Sequence, residues 1–510
     1  MEGNLMSRGT RTGRGNRIQQ SNRAESKLAP VIRRLRPLEI VDEEVLDRIH
    51  AASLAILQET GIEFRDAAAL AHWKAAGASV DGSRVRIDGQ MLLELVARAP
   101  SSFTVAGRGA NTAFKMGGNV TVFCPMKGAP FTRDLEGRRR STTEQDVINF
   151  ARLTQACSSF HMAGGFTCEP MDIAVPHRHL VMMRHHMVET ELPLFGIGTS
   201  RERALDCLKM ARIATGDIMD SAVTIWMHAS GNSPLVWDET MLEGLRLFAD
   251  EGQAVLCSPF VLAAANTPAD VAATIAQVNA EALAAIAYAQ LYKAGTPVVY
   301  GQFTVSISMQ TGAPMAGTPE VALMTTVIGQ LARRYGVPWR TTANHASSKS
   351  FDAQSGYEGA LSMMTGVNAG ANLMLHAGGW DEGGLTICYG KFVADNEQNL
   401  LMARYAGGIS MDRFDEALKA VGRVGPGGHY LGDEFTIEHF REAFSMPKLM
   451  DFSSFEQWSS VGSKDMAQRC REAAARILEE FVPPATDPAM VEELDAYVAR
   501  RKSEISPHIS

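Results

Sequence analysis

No CxxC or CxC pair occurs in this chain of 510 residues, and its seven cysteines (124, 157, 168, 207, 257, 388 and 470) are an odd, scattered set. That excludes a disulfide framework and a structural zinc cluster, and leaves reduced, mostly buried thiols as the expectation. Also missing are an unbroken run of about 18 apolar residues and a charged segment leading into a short apolar one, so neither a membrane span nor a secretory signal is expected. The cytoplasm is then the default location. No GxxxxGK[ST] is present, which removes the Walker-type phosphate loop. FGIGTSRERALD (195–206) has a strand, two glycines and a helix but lacks a third glycine, so a dinucleotide or S-adenosylmethionine site there is poorly supported.

Positive charge is in short supply outside one end. The formal net charge is −8, but residues 1–36 carry nine Lys or Arg against two acidic residues, leaving 40 basic and 55 acidic in the other 474. The acidic body gives no reason to expect nucleic acid. Residues 1–37, rich in Gly, Ser, Asn and Arg, have the composition of a disordered basic tail. The 45% hydrophobic and 21% charged residues of the whole describe a globular protein able to bury a large core.

Residues 38–140 form the next unit. EEVLDRIHAASLAILQETG and AAALAHWKAAG have helical spacing, and the short alternating segments SRVRIDG, SSFTVAGRG, TAFKMGG and VTVFCP suggest a small antiparallel β unit, giving an α+β region. Over residues 141–409 strand and helix alternate. Strand candidates are HMAGGF (161), LFGIG (194), VTIWMH (223), AVLCSPF (254), PVVYGQF (297), PWRTTA (338), NLMLHAGG (372) and LTICYG (385), with Ala- and Leu-rich helices between most of them. This is the pattern of an α/β protein, a TIM-type (β/α)8 barrel, with an open doubly wound sheet as the alternative. Residues 410–510 are helical and charged and are expected to pack on the barrel.

In such a barrel the residues just beyond each strand form the reactive face. They include His228, Gln302, Asn344 with His345, and His376 with Trp380 and Asp381, then Tyr389 and Lys391. Three histidines arriving from three strand ends are more informative than any one alone. Phe166, Phe260, Tyr300, Phe303, Trp339, Tyr357, Trp380 and Tyr389 lie in or near strand ends, and some could hold a quaternary ammonium by cation–π attraction. HRHLVMMRHH (177–186) sets His179 and His186 on one helical face without matching carboxylate or Cys spacing, so a solvated helix is preferred to a metal site there, and no metal ligand is assigned.

The blocks RYGVPWRTTANHASSKSFDAQSGYEGALSMMTGVNAGANLMLHAGGWDEGGLT, VGPGGHYLGDEFTIEHFREAF and EQWSSVGSKDMAQRCREAAARILEEFVPP, with LAILQETGIEFRD, RVRIDG and APSSFTVAGRG before them, resemble the trimethylamine methyltransferase (MttB-like) family. The resemblance covers nearly the whole chain after the tail. It implies a barrel methyltransferase that moves a methyl group from an amine to the reduced cobalt of a separate corrinoid protein. No cofactor would then be bound tightly by this chain, the corrinoid (cobalamin) coming with the partner, and a homo-oligomer would be possible. The archetypal trimethylamine enzymes carry pyrrolysine in a segment similar to RTTANHASSKSFDAQSGYE, at or beside Asn344 and His345; this chain has ordinary residues there. That departure points toward members that act on quaternary amines such as glycine betaine. On this reading His345, His376 and Asn344 are the catalytic candidates, and His228, Gln302, Trp339, Tyr357, Trp380 and Tyr389 bind substrate, with Arg340 and Lys349 as further donors to a carboxylate. The competing readings are trimethylamine itself as substrate, and a non-catalytic methylated-amine binding protein on the same barrel.

Overall fold

The computed structural model describes residues 27–506. Residues 1–26 of the expected basic tail lie outside the described residues. Residues 27–37 were expected to share its disorder, but they are packed. Lys27 Nζ donates to the carbonyls of Thr154 and Cys157, and the buried Arg33 guanidinium donates to Thr121 Oγ1 and to the Gly118 and Ala371 carbonyls. Composition identified this stretch as tail because its anchors are cations, whose partners here are four backbone carbonyls and one hydroxyl distant in sequence.

The principal sheet takes β1 (Val31–Ile32), β2 (Val120–Phe123), β4 (Leu194–Gly196), β5 (Ile225–Asn232), β6 (Ala254–Ala263), β7 (Val298–Gly301), β9 (Trp339–Thr342) and β10 (Leu373–Leu375). Its order is β1-β2-β10-β9-β7-β6-β5-β4, and every pairing except β1 with β2 is parallel. A further strand, β8 (Phe303–Ile307), extends β7 along β6. The protein is thus α/β, with a curved, half-barrel parallel sheet. Residues 161–163, expected as a strand, are irregular, with Gly164 and Gly165 following. They still lace the two ends of the parallel array: His161 N–H donates to the Phe123 carbonyl (3.0 Å) and Ala163 N–H to the Pro193 carbonyl (2.8 Å).

Two expectations need correction. LTICYG is not a strand of this sheet: β11 (Thr386–Cys388) pairs with β3 (Phe131–Arg133) in a separate sheet. VTVFCP, expected in the antiparallel N-terminal unit, is β2 of the parallel sheet, beside β10 in the register Val122 to Leu373. The sheet therefore draws on residues before 141, because the carbonyls and amides of 120–124 find their partners at 372–377.

Helices cover the sheet: α1 (Arg178–Glu189), α2 (Val271–Tyr292), α3 (Pro319–Arg334), α4 (Ala353–Asn368) and α5 (Tyr389–Ala406), with α6 (Phe414–Val424) and α7 (Glu434–Ala443) beyond. Helix α2 starts where Asp270 accepts from the Ala273 N–H, an N-cap that satisfies an otherwise orphaned donor. Among the described residues it is the one helix long and apolar enough to cross a membrane, and it is buried continuously from Thr274 to Gln290 inside the fold. Helix α1, expected to be solvated, is also buried. His179 pairs with Asp206 (2.9 Å), His185 with Glu144 (2.8 Å) and His186 with Thr167 (3.3 Å), so its histidines are occupied as structural hydrogen-bonders.

Strand parity decides what faces the enclosed side of the sheet. On β9, Trp339 points into the helix layer: its Nε1 donates to the Gly370 carbonyl, and a Cβ at Gly329 of α3 would lie 2.8 Å from its ring. Arg340 points to the opposite face. Gly301 is required where β7 and β6 come together, since a Cβ there would sit 2.3 Å from Ser258 Cβ.

Candidate functional site

The carboxyl ends of the strands bring His228, His345 and His376 into one cluster, called the chamber below, with Arg340 and Lys127 between them. Arg340 is fully buried. It donates to the Gln302 carbonyl (2.5 Å) and to His376 Nδ1 (3.2 Å), and its guanidinium carbon lies 5.6 Å from the Phe303 ring centroid. Lys127 follows β2. Its Nζ donates to His228 Nδ1 (3.0 Å) and stands 3.8 Å from the centroid of Phe195 and 5.0 Å from that of Phe166.

Aromatic rings form the outer part of the cluster. His376 and Trp380 have centroids 4.3 Å apart, Phe303 meets Trp380 at 5.9 Å and His376 edge-on at 5.8 Å, and His345 meets Trp380 edge-on at 6.3 Å. Phe260 stacks on Phe303 at 5.0 Å and is 43% exposed, which places it at the rim. These faces suit a cation.

The electrostatics run one way. Burial lowers Arg340 to about 9, so the guanidinium remains charged at neutral pH, and burial with the Arg340 charge takes Lys127 to about 7. Among the described residues neither has a carboxylate partner; the anion-forming group acting on both is Cys124, whose thiol burial pushes up to about 12 and keeps neutral. Burial, then Lys127 and Arg340, hold His228 well below the usual range; burial, then Arg340, Lys127, His228 and His345, do so for His376. The chamber therefore holds positive charge without a counter-ion. Buried polar atoms around it also lack hydrogen-bond partners among the described residues: Arg340 Nε, His228 Nε2, both His345 nitrogens, Trp380 Nε1 and Asn344 Oδ1. Such orphans are rare in folded proteins and are met by ordered water or by a ligand.

Behind the chamber a second network fixes the loop 343–348. Lys391, at the start of α5, donates to the Asn344 carbonyl (2.7 Å) and to both Asp395 oxygens (2.8 Å), while Asp395 accepts from the Gly379 N–H. Asn344 Nδ2 donates to Asn399 Oδ1 and the Ala377 carbonyl. Asn344 (φ 51°) and His376 (φ 67°) occupy the left-handed region, a strained conformation for a residue with a Cβ and one characteristic of functional sites. Asp381 accepts from Ser355 Oγ, and burial raises it to about 7.

His345 gives a pH signature. Burial, then Arg340 and Lys391, lower it to about 3. Its folded value lies below the unfolded one, so its contribution to stability is present above pH 6.5 and is lost as pH falls toward 3. A His345→Gln variant is expected to show an acid-limb stability slope shallower by about one proton, roughly 1.4 kcal/mol per pH unit. Urea unfolding at pH 6.5, 5.5 and 4.5 measures this, and identical slopes would contradict it. Asp381 works oppositely, its stabilisation being lost as pH rises through about 7.

Of the residues selected from sequence, the fold gathers His228, His345, His376, Asn344, Trp380 and Arg340. Gln302 sits behind the sheet, where its Oε1 accepts from Thr341 Oγ1 (3.0 Å), and it borders a narrow Thr-lined crevice between α3 and α4 that reaches His345. Trp339 faces the helix layer, and Tyr357 is 78% exposed on the outside of α4. Tyr389 is buried elsewhere, stacked on Phe150 at 4.3 Å and donating to Asp146 Oδ1 (2.8 Å). Lys349 Nζ bonds the Ser347 carbonyl. Lys127 was missed altogether; it follows its strand as the histidines follow theirs, but that strand had been assigned to another unit.

A parallel α/β sheet with polar and aromatic side chains gathered at its strand carboxyl ends places the protein in the barrel-related class of folds. The crystal structure of the Methanosarcina barkeri monomethylamine methyltransferase (MtmB) has the same fold, with a TM-score of 0.52 at 10% identity over 88% of this chain and 90% of that one. The family model for trimethylamine methyltransferase (MTTB) matches residues 7–506, and the chain belongs to that family. It is similar to the glycine betaine methyltransferase of Desulfitobacterium hafniense (strain Y51), 35% identical over 91% of this chain and 98% of that protein. It is also similar to the proline betaine:corrinoid methyltransferase of Eubacterium limosum, 26% identical over 87% and 93%. The protein is a methyltransferase.

Proposed function

We propose that this enzyme takes a methyl group from a quaternary ammonium that also bears a carboxylate, a betaine, and gives it to the Co(I) corrinoid of a separate protein docked at the chamber mouth. The observation that carries this reading is the pairing of the buried Arg340 guanidinium, which has no carboxylate partner among the described residues, and the neighbouring Lys127 amine with the aromatic rim of Trp380, Phe303 and Phe260. A plain quaternary amine would be repelled by the deep end. A betaine satisfies both ends when its carboxylate points inward and its methyl groups point outward.

That orientation determines what the residues do. Arg340 and Lys127 bind the carboxylate by charge-assisted hydrogen bonds. Trp380 and Phe303 line the ammonium's flank and exclude water, and neutral His345 and His376 add no further positive charge beside it. The corrinoid supplies the nucleophile. As the methyl carbon is taken, the C–N bond breaks and its electron pair remains on nitrogen, so the product is a neutral tertiary amine that needs no proton from the protein. Alignment of a methyl group with the mouth is the principal catalytic contribution asked of the chain. The names of the two betaine enzymes support the same substrate class.

The purified protein, mixed with a cognate corrinoid protein held as Co(I), is expected to methylate cobalt with glycine betaine or another betaine and much more slowly with trimethylamine, as read from the corrinoid spectrum. Failure across a broad panel of methylated amines would overturn the reading. Faster turnover of trimethylamine than of every betaine would overturn the substrate assignment.

A further inference from the structure

A second way toward the chamber runs between α3 and α4. The Thr-lined crevice there begins beside the exposed Leu361 and the half-buried Ala322 and Thr365, and it ends at the buried Thr304, Thr342 and His345. The rim aromatics Trp380, Phe303 and Phe260 do not line it. The space open to the centre of a water is about 10 Å³, which holds about one water and is too small for an amine. Thr342 stands two residues after Arg340 on β9 and so on the same face of the sheet. The inner end is polar and unsatisfied: Thr304 Oγ1, Thr342 Oγ1 and both ring nitrogens of His345 lack hydrogen-bond partners among the described residues. Hydroxyls elsewhere along the crevice are occupied. Thr341 Oγ1 donates to Gln302 Oε1 (3.0 Å), Thr325 Oγ1 accepts from Gln302 Nε2 (3.4 Å), and Thr318 Oγ1 bonds Ser306 Oγ (3.1 Å).

Such an end fits a water, which needs two to four polar partners when buried. It also fits a moving proton. A hydroxyl both donates and accepts, and a neutral imidazole has one nitrogen for each role. His345 is neutral at working pH, because burial, then Arg340 and Lys391, lower it to about 3. A proton can therefore reach one ring nitrogen as another leaves the second, with no standing imidazolium beside a bound cation. On the betaine reading, on which this inference rests, breaking the C–N bond needs no proton, but it leaves a tertiary amine whose lone pair is the nucleophile for the reverse transfer. We infer that a water held at the inner end of the crevice, together with Thr304, Thr342 and His345, relays a proton from solvent to the nitrogen of the product amine after the methyl group has left. Solvent gives up the proton at the outer end, and each O–H or N–H on the path takes one proton as it releases another. The amine lone pair forms the new N–H bond, so the product departs as an ammonium and the hydroxide remains outside. His345 ends as its other tautomer, and exchange with the crevice water restores it. Thr304 and Thr342 are positioning residues here, acting through the water and the ring.

The test separates the first methylation from repeated turnover. With enzyme in excess over a Co(I) corrinoid protein and a betaine present, the double variant Thr304→Val, Thr342→Val is expected to methylate cobalt at the parent's initial rate. With corrinoid protein in excess, its repeated turnover is expected to fall at least about tenfold, since a positioned proton transfer contributes roughly 10²–10⁴-fold. The double variant Thr304→Ser, Thr342→Ser, which keeps both hydroxyls, is expected to turn over like the parent. In the parent, deuterium oxide should slow repeated turnover and leave the single methylation unchanged. A crystal structure of the full chain should show an ordered water bonded to the Thr342 hydroxyl and the His345 ring. Equal losses in both regimes, a valine variant like the parent, a serine variant as slow as the valine one, no isotope effect or a dry crevice each overturns the relay and leaves the betaine reading standing. Failure of the parent with every methylated amine overturns that reading and the relay with it. Should the valine variant not fold, the isotope effect and the crystal structure of the parent decide.

Discussion

Methyl transfer from glycine betaine is expected to fall about 10²–10³-fold in kcat/KM when Arg340 is replaced by methionine, because losing one member of a buried, hydrogen-bonded charge pair costs roughly 3–4 kcal/mol. The side chain is fully buried, its guanidinium remains charged, and no carboxylate among the described residues competes for it. An incoming carboxylate is then the one anion that can neutralise it. Most of the loss should appear in KM, since the carboxylate interacts similarly in ground and transition states. Lysine should not rescue well, because the guanidinium divides its donors between the Gln302 carbonyl and His376 while leaving Nε free, a geometry an ammonium cannot reproduce. The control is tetramethylammonium, which lacks the carboxylate. Its slower turnover should hold or rise, since the charge that repels it is gone, and an equal loss for both substrates would show that Arg340 supports the fold instead of reading the substrate.

The second large effect concerns stability. Replacing Lys391 by methionine is expected to cost about 3–5 kcal/mol, the penalty for leaving one partner of a buried ion pair uncompensated. Asp395 would lose both of its Lys391 contacts while still accepting from Gly379, and the Asn344 carbonyl would lose its donor. Burial already raises Asp395 to about 6 with the lysine present, so the unpaired carboxyl should take up a proton and the variant should be less deficient in mild acid than at pH 8. Equilibrium urea unfolding at both pH values measures this. The double variant Lys391→Met, Asp395→Leu should recover most of the loss, as apolar replacements of whole buried pairs commonly do. A single variant within 1 kcal/mol of the parent would remove the network from any account of how Asn344 is held.

The parallel strands were legible where apolar runs end in glycine or a polar turn, as in VTIWMH, AVLCSPF and PVVYGQF. The three histidines were legible because chemistry in such sheets gathers at strand carboxyl ends. What the sequence left hidden has a common cause: a strand reveals two faces but not which of them looks inward. Trp339 and Arg340 are neighbours on one strand, and the sequence offers both to the pocket where the structure turns only the cation inward. Tyr389 followed from assigning LTICYG to the principal sheet. Lys127 was lost in the complementary way, because VTVFCP alternates like an antiparallel strand and its true neighbour lies about 250 residues away, a separation no local pattern carries. The packing of residues 27–37 was hidden for the same reason, since the Arg33 contact with Ala371 spans 338 residues.

That long separation also has a consequence for how the chain is made. Strand β2 leaves the ribosome early, but its parallel partner β10 follows only after some 250 further residues, as the Thr121 to Ala371 hydrogen bond beside them records. Until then an apolar strand waits with an open edge, the kind of surface that seeks other chains. Sheet assembly is delayed by loop closure over half the protein, which slows folding and lengthens the interval of risk. The enzyme's yield in a cell would then depend as much on what shields Val120–Phe123 during synthesis as on the stability of the finished sheet.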